Sequence, residues 1–127
     1  MRAVDTNVLV RLLTRDDVKQ AQAADRFVAP GAWVPTLALI EAVWVSSTVY
    51  EREPSQIAAA VEMLLNHAHL TLQDPDIVSE ALQQFRRRPA LGFSDCILLE
   101  TARKAGHLPI GTFDAALARL EGAERVE

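Results

Sequence analysis

Residues 2–13, RAVDTNVLVRLL, join a short apolar stretch to a run with helical periodicity, and an aspartate stands between them. Residues 2–5 have the pattern of a short buried strand, and the next residues predict a helix with Thr6 or Asn7 near its cap. Asp5 therefore stands where the strand ends. Ligands of open α/β sheets bind at the carboxyl ends of strands, so Asp5 is the first candidate functional residue.

The rest of the chain alternates short strands with helices. Pro and Gly punctuation, cap residues and apolar spacing predict helices over 16–29, 36–49, 74–87 and 93–106, with others starting at Pro54 and Asp114. Ser94 is the expected cap of the helix over 93–106, and Gly106 is its expected stop. Further strands are expected in AWVPT, HLTL and LPIGTF, and AERVE is a candidate edge strand.

This alternation predicts an α/β fold in three α/β/α layers, with a parallel sheet of four or five short strands and helices on both faces. The helix over 16–29 places Val18, Ala21, Ala24 and Val28 on one face. A length of 127 residues fits one domain, 1–127.

Composition limits the classes of function. The net charge of −4 gives no general attraction to nucleic acid, although a local basic patch is compatible with it. Cys96 is the only cysteine, so an intrachain disulfide is excluded, which agrees with a reducing compartment. No apolar run approaches the roughly 20 residues that span a bilayer. We therefore expect a cytoplasmic protein with no membrane association.

Four acidic residues occupy positions typical of a site. Asp5 ends the first strand, Glu41 follows the second, Asp95 opens a late helix and Asp114 follows the fourth strand. Asp5, Asp95 and Asp114 also suit helix caps or first turns, so structural and functional interpretations both stay open for them. If the four converge, they form an oxygen-only site for a hard cation, Mg²⁺ or Mn²⁺.

Capping does not explain Glu41, which lies inside the apolar run LALIEAVWV, residues 37–45. A buried carboxylate needs a metal or a charged partner, so the alternatives are a shared cation and a salt bridge to an arginine such as Arg11. The apolar run continues through Trp44 and Val45, which suit either core packing or an interface.

These segments together resemble a known family. AVDTNVLVRLL, the isolated Glu41, FSDCILLETARKAG and the late GTFD are similar in order and spacing to PIN domains, specifically to VapC-type toxin ribonucleases. The resemblance covers essentially the whole chain. It implies an endoribonuclease that hydrolyses RNA phosphodiester bonds with Mg²⁺ or Mn²⁺, forms a homodimer and is inhibited by a cognate VapB-like antitoxin.

Carried over by motif, the acids Asp5, Glu41, Asp95 and Asp114 match the catalytic and metal-binding cluster of the family. The polar residues Thr6, Asn7 and Thr112 match its supporting positions. Many relatives have another acid where this chain has Gly92, and a basic or polar residue where it has Ala115. These two gaps affect a second metal site or substrate contacts, while RNA-binding residues remain unassigned.

Two other functions are weighed against the nuclease. A phosphatase of the haloacid-dehalogenase type would use Asp5, but its signature needs an acid two positions later, where Asn7 stands. An amide cannot donate a proton as a carboxylic acid does. A non-enzymatic binding domain would use the four acids only as caps and ion pairs.

Overall fold

Every strand pair is parallel in the computed structural model, which describes residues 1–127. Strands β1 (Arg2–Ala3), β2 (Ala32–Val34) and β3 (Leu70–Leu72) pair in the order β1-β2-β3. Strand β4 (Ile110–Thr112) pairs with β5 (Ala123–Arg125). The predicted α/β class with parallel strands is confirmed, and AERVE does add a strand. The hydrogen bonds, however, join the strands in two groups rather than in one continuous sheet.

Six α-helices accompany the strands. They are α1 (Thr6–Thr14), α2 (Val18–Val28), α3 (Thr36–Thr48), α4 (Pro54–Leu65), α5 (Pro75–Arg87) and α6 (Phe93–Ala105). Each lies where the sequence predicts a helix, with ends that differ by one or two residues. None of them combines the length and apolar character that a membrane crossing requires.

The chain divides into two compact units, the first of which is Met1–Pro75. In this unit α1 packs against α2 and α3, while α4 contacts α3 and β3. Its core is formed by fully buried aliphatic side chains, among them Leu9, Val28, Leu39 and Val61. The apolar face predicted for the helix over 16–29 contributes Ala21, Ala24 and Val28 to this core, whereas Val18 is exposed.

The second unit, Asp76–Glu127, contains α6, β4, β5 and most of α5. Phe85 and Phe93 meet edge to face with ring centroids 5.8 Å apart. Arg103 of α6 forms an ion pair with the buried Glu100 and donates a hydrogen bond to the Glu121 carbonyl. This arginine therefore ties α6 to the turn that precedes β5.

The first strand and the start of α6 differ from the predictions. Strand β1 ends at Ala3, and both of its residues are exposed. The buried side chain of this segment is that of Val4, which follows the strand. Asp5 caps α1, a role that the sequence left open for it, and Thr6 follows as the first helical residue. Helix α6 begins at Phe93 with Gly92 in the cap position, so Ser94 is not its cap. Gly106, with φ of 81°, ends α6 as predicted.

The helix predicted to start at Asp114 is reduced to a 3-10 turn, Leu117–Arg119. Leu120 returns to extended backbone and Gly122 adopts a φ of 93°, a conformation that glycine tolerates best. The chain then pairs with β4 from Ala123 onward. Strand pairing by β5 therefore overrides the helical propensity of AALARL, because it leaves too few residues for a helix.

An exposed carboxylate joins two helix ends in the first unit. Asp16, just after α1, accepts hydrogen bonds from Thr14 Oγ1 at 2.8 Å, Tyr50 Oη at 3.0 Å and Arg11 at 2.9 Å. The hydrogen bonds from Thr14 and Tyr50, together with the charge of Arg11, lower the pKa of Asp16. The network thus links the end of α1 to the segment after α3.

We expect Asp16→Asn to lower the melting temperature at pH 7 by a few degrees. Because the folded-state pKa lies below the unfolded value of about 4, the ionised Asp16 stabilises the protein above that pH. This contribution disappears as pH falls through the folded-state pKa, so the variant should also show a shallower loss of stability in acid. Calorimetric melting curves between neutral and strongly acidic pH measure both effects.

Glu51→Gln is the matched control, because it removes an exposed carboxylate of the same unit that has no hydrogen-bond partner. It should melt like the wild type at pH 7. An Asp16→Asn protein with an unchanged melting temperature at pH 7 would show that this network adds no stability.

Candidate active site

Asp5 is the N-cap of α1, and its side chain is exposed. The Oδ1 atom accepts a hydrogen bond of 3.1 Å from the Val8 backbone N–H, while Oδ2 has no hydrogen bond from the protein. The cap satisfies one of the N–H groups that a helix start leaves open. The local fold therefore fixes the carboxylate and leaves one of its oxygens available.

Glu41 is exposed on α3, so the burial suggested by the apolar run around it is not observed. Helix α3 is apolar on more than its buried face: Leu37 is 69% exposed and Trp44 is 63% exposed, and both share a helix side with Glu41. The proposed salt bridge to Arg11 is also wrong, because Arg11 pairs with Asp16. The apolar residues around Glu41 in the sequence therefore do not bury its side chain.

Thr6 connects Glu41 to the start of α1. Its Oγ1 donates a hydrogen bond of 3.0 Å to Glu41 Oε2, while Glu41 Oε1 has no partner in the protein. Since Thr6 directly follows Asp5, this bond links α3 to the residue next to the first candidate acid. Thr6 therefore contacts the candidate acid Glu41 directly, as a supporting residue would.

Asp95 lies in the first turn of α6, and its side chain is half-buried. Burial, followed by the negative charge of Asp114, raises the pKa of Asp95 above its ordinary value. No hydrogen bond from the protein reaches its carboxylate to offset these costs. In the second unit, two of the predicted acids are therefore close enough to repel each other.

Asp114 is held by backbone amides. Its Oδ1 accepts hydrogen bonds from Ala116 N at 2.8 Å and Leu117 N at 3.0 Å. Its own N–H donates to Thr112 Oγ1 at 3.0 Å, so Thr112 contacts the last acid directly. Phe113, which sequence reasoning passed over, is 78% exposed between them. The position of this aromatic residue between a polar residue and an acid is the sequence feature that could have identified Phe113 as a candidate.

The structure thus brings the predicted residues together in pairs. In Met1–Pro75, Thr6 links Glu41 to the start of α1, and Asn7 is exposed with no side-chain hydrogen bond. In Asp76–Glu127, Asp95 and Asp114 interact electrostatically. Neither unit contains three or more acidic, histidine or cysteine side chains arranged to hold a metal ion. The sharing of one cation by all four acids stays a prediction.

The donor set fits a hard divalent cation. All four residues are carboxylates, the ligands that Mg²⁺ and Mn²⁺ prefer, and each has at least one oxygen that no protein group binds. A cation beside Asp95 would also offset the burial and repulsion that raise the pKa of this residue. The same residues offer nothing that a soft metal would prefer.

A cysteine nucleophile does not fit this chain. Cys96 is fully buried in α6, next to Asp95, and burial raises the pKa of its thiol to about 11. At neutral pH the thiol is therefore protonated and unreactive. This agrees with the sequence-based interpretation that Cys96 fills core space.

Replacing Asp95 by Asn should raise the melting temperature by about 2 °C in the absence of divalent cations. The raised pKa means that the ionised carboxylate disfavours the folded state, so removing its charge removes burial and repulsion costs. Saturating Mn²⁺ should stabilise the wild type, because a ligand that binds only the folded state raises its melting temperature. The variant should lose most of this response in the same thermal-shift assay.

Glu124→Gln is the control, because Glu124 is an exposed acid of the same unit with no hydrogen-bond partner. It should respond to Mn²⁺ as the wild type does. Destabilisation of the cation-free Asp95→Asn protein, or a full response of that variant to Mn²⁺, would contradict the role given to Asp95.

Comparison with known proteins identifies the family of this chain. The model of the PIN domain family matches residues 2–123, which include all four acids and parts of both units. No curated protein sequence matches the chain. PIN domains are typically nucleases and typically use divalent metal ions. Because the match covers nearly the whole sequence, the chain belongs to the PIN domain family.

Proposed function

We propose that this PIN domain is an endoribonuclease that depends on Mg²⁺ or Mn²⁺. The observation that carries the proposal is the state of the four acids: each is held or placed by local structure, yet each leaves a carboxylate oxygen unbound. Carboxylates that served only as caps and ion pairs would not include Asp95, which lacks a donor and has a raised pKa. Cation binding explains that residue.

Each residue has a stated task in this proposal. Asp5 and Asp95 supply the principal oxygen ligands, Glu41 orients a ligand or water, and Asp114 completes the set. When bound, a divalent cation lowers the pKa of a water that acts as nucleophile and neutralises charge on the scissile phosphate. The Val8 N–H holds Asp5, Thr6 holds Glu41, and the Ala116 and Leu117 N–H groups hold Asp114.

RNA as the substrate is supported by the surface beside Asp114. The ring of Phe113 is exposed there, and unpaired RNA bases stack on aromatic side chains. The basic run Arg86–Arg88 also lies in the second unit, at the end of α5 and just after it, where it complements the helix dipole. Because a helix end explains these arginines, no RNA contact is assigned to them.

A toxin role with a VapB-like antitoxin follows from the resemblance of the sequence to VapC-type proteins. Expression of the chain alone should then stop the growth of a bacterial host, and Asp5→Asn should abolish the effect. Normal growth on wild-type expression would contradict the toxin role while leaving nuclease chemistry intact.

A homodimer is supported by the exposed apolar residues Leu37 and Trp44 on α3. Large exposed apolar side chains on one helix side are typical of interaction surfaces. Light scattering on the purified protein tests the proposal: twice the chain mass is expected, and a monomer at high concentration would rule it out.

Asp5→Asn should lower the rate of RNA cleavage by at least about 100-fold, as expected when a key electrostatic group of an active site is lost. Asparagine caps helices as well as aspartate does, so the fold and the Val8 hydrogen bond should survive. The measurement is cleavage of a panel of structured and single-stranded RNAs in Mg²⁺, in Mn²⁺ and in EDTA. EDTA should abolish wild-type cleavage.

Glu51→Gln serves as the control for loss of an acid in the same unit and should cleave at the wild-type rate. Equal cutting by Asp5→Asn would remove Asp5 from the mechanism. Hydrolysis of p-nitrophenyl phosphate without any RNA cleavage would instead favour the phosphatase alternative.

A further inference from the structure

A surface groove of about 400 Å³ opens beside Asp5 in the first unit. It lies between α1 and α2, and we call it the Asp5 groove. Residues that matter for its chemistry are Asp5, Asn7, Arg11, Gln20, Ala23 and Phe27. Its volume falls within the range of small-ligand sites, so it can take a group of the size of a nucleobase.

Two side-chain amides with free hydrogen-bonding groups line the Asp5 groove. The Asn7 side chain is exposed and makes no hydrogen bond with the protein. The Gln20 side chain accepts a hydrogen bond from Arg11 Nε, which leaves its NH₂ group free to donate. Carboxamides pair a donor with an acceptor, the combination with which proteins contact the edges of bases.

The remaining walls of the groove are apolar, and positively charged side chains lie nearby. Phe27, Val8, Ala23 and Ala24 give carbon surface. The Arg2 guanidinium stacks on the Phe27 ring at 3.8 Å from its centroid. Arg11 is held in place by Asp16 and Gln20. A flat, uncharged ring with a polar edge, attached to a phosphate, is complementary to such a surface.

We propose that the Asp5 groove binds one nucleobase of the RNA substrate and thereby selects the position at which the RNA is cleaved. The inference rests on the proposed ribonuclease function, because it uses the shared residue Asp5. A group bound in this groove lies next to a carboxylate that acts on the phosphate, so both belong to one ligand. This continuity favours RNA over a segment of a protein partner as the occupant.

The test fills the groove without touching the candidate acids. Ala23→Leu adds bulk at an exposed position of α2, where leucine is a good helix former. Gln20→Ala removes the free NH₂ group together with the hydrogen bond from Arg11. Gln22→Leu and Gln22→Ala are matched controls on the same helix, outside the groove. Circular dichroism establishes that all four variants fold.

The substrate is a single-stranded RNA that the wild type cleaves, together with a series in which each nucleotide in turn lacks its base. Ala23→Leu should lower kcat/KM by about 5- to 100-fold, mainly through KM, as expected for loss of one base contact. Gln20→Ala should broaden the choice of cleavage position. Removal of the base at one position should slow cleavage by the wild type. With that substrate, the wild type and Ala23→Leu should cleave at the same rate.

Wild-type kinetics and cleavage pattern in both groove variants would overturn this inference and leave the ribonuclease proposal standing. A variant that loses self-association or binding of a copurified protein, but cleaves RNA normally, would assign the groove to a protein and also overturn it. If the wild type cleaves no RNA with Mg²⁺ or Mn²⁺, the ribonuclease proposal itself fails, and the inference fails with it.

Discussion

The hydrogen bond from the Val8 N–H to Asp5 is the contact on which the candidate site depends. It uses one carboxylate oxygen to start α1, leaves the other open and fixes the direction in which Thr6 follows. Thr6 then reaches Glu41 on α3. The turn at Asp114 repeats the principle, with backbone N–H groups holding one oxygen only. Capping and ligand binding are therefore compatible roles of the same carboxylate.

This dual use changes how acidic caps should be interpreted in a sequence. Asp5 and Asp114 each suit either a cap or a ligand, and the structure shows that Asp5 caps α1 while Asp114 accepts two backbone N–H bonds in a turn. Because a carboxylate has two oxygens, one oxygen can accept backbone N–H bonds while the other binds a ligand. Asp95 differs from both, since no donor reaches it and its charge is opposed by burial and by Asp114.

Element types were predictable because their causes are local. Apolar spacing, Pro54 and Gly106 mark helices that the structure contains, and AERVE does form a strand. Features that depend on distant pairing were not predictable. The helix expected at Asp114 is lost to strand pairing by β5, and the strands divide into two hydrogen-bonded groups. Local propensity cannot report such competition.

Candidate residues could be selected from the sequence, but their environment was predictable only in part. Glu41 was singled out because an apolar run surrounds it, yet the residue is exposed and its neighbours Leu37 and Trp44 are exposed as well. Composition alone cannot tell a core helix from one with an apolar outer face. The Thr6 contact and the Asp5 groove likewise required coordinates, because they join residues from different elements.

The central claim is that Asp5 caps a helix and binds a catalytic cation at the same time. Calorimetric titration of Mn²⁺ into the wild type and into Asp5→Asn, with melting curves of both proteins, tests this most directly. We expect equal melting temperatures without cation, because asparagine keeps the cap, and an affinity for Mn²⁺ lowered by about tenfold or more. Equal Mn²⁺ affinity in the two proteins, or no binding by the wild type, would contradict the claim.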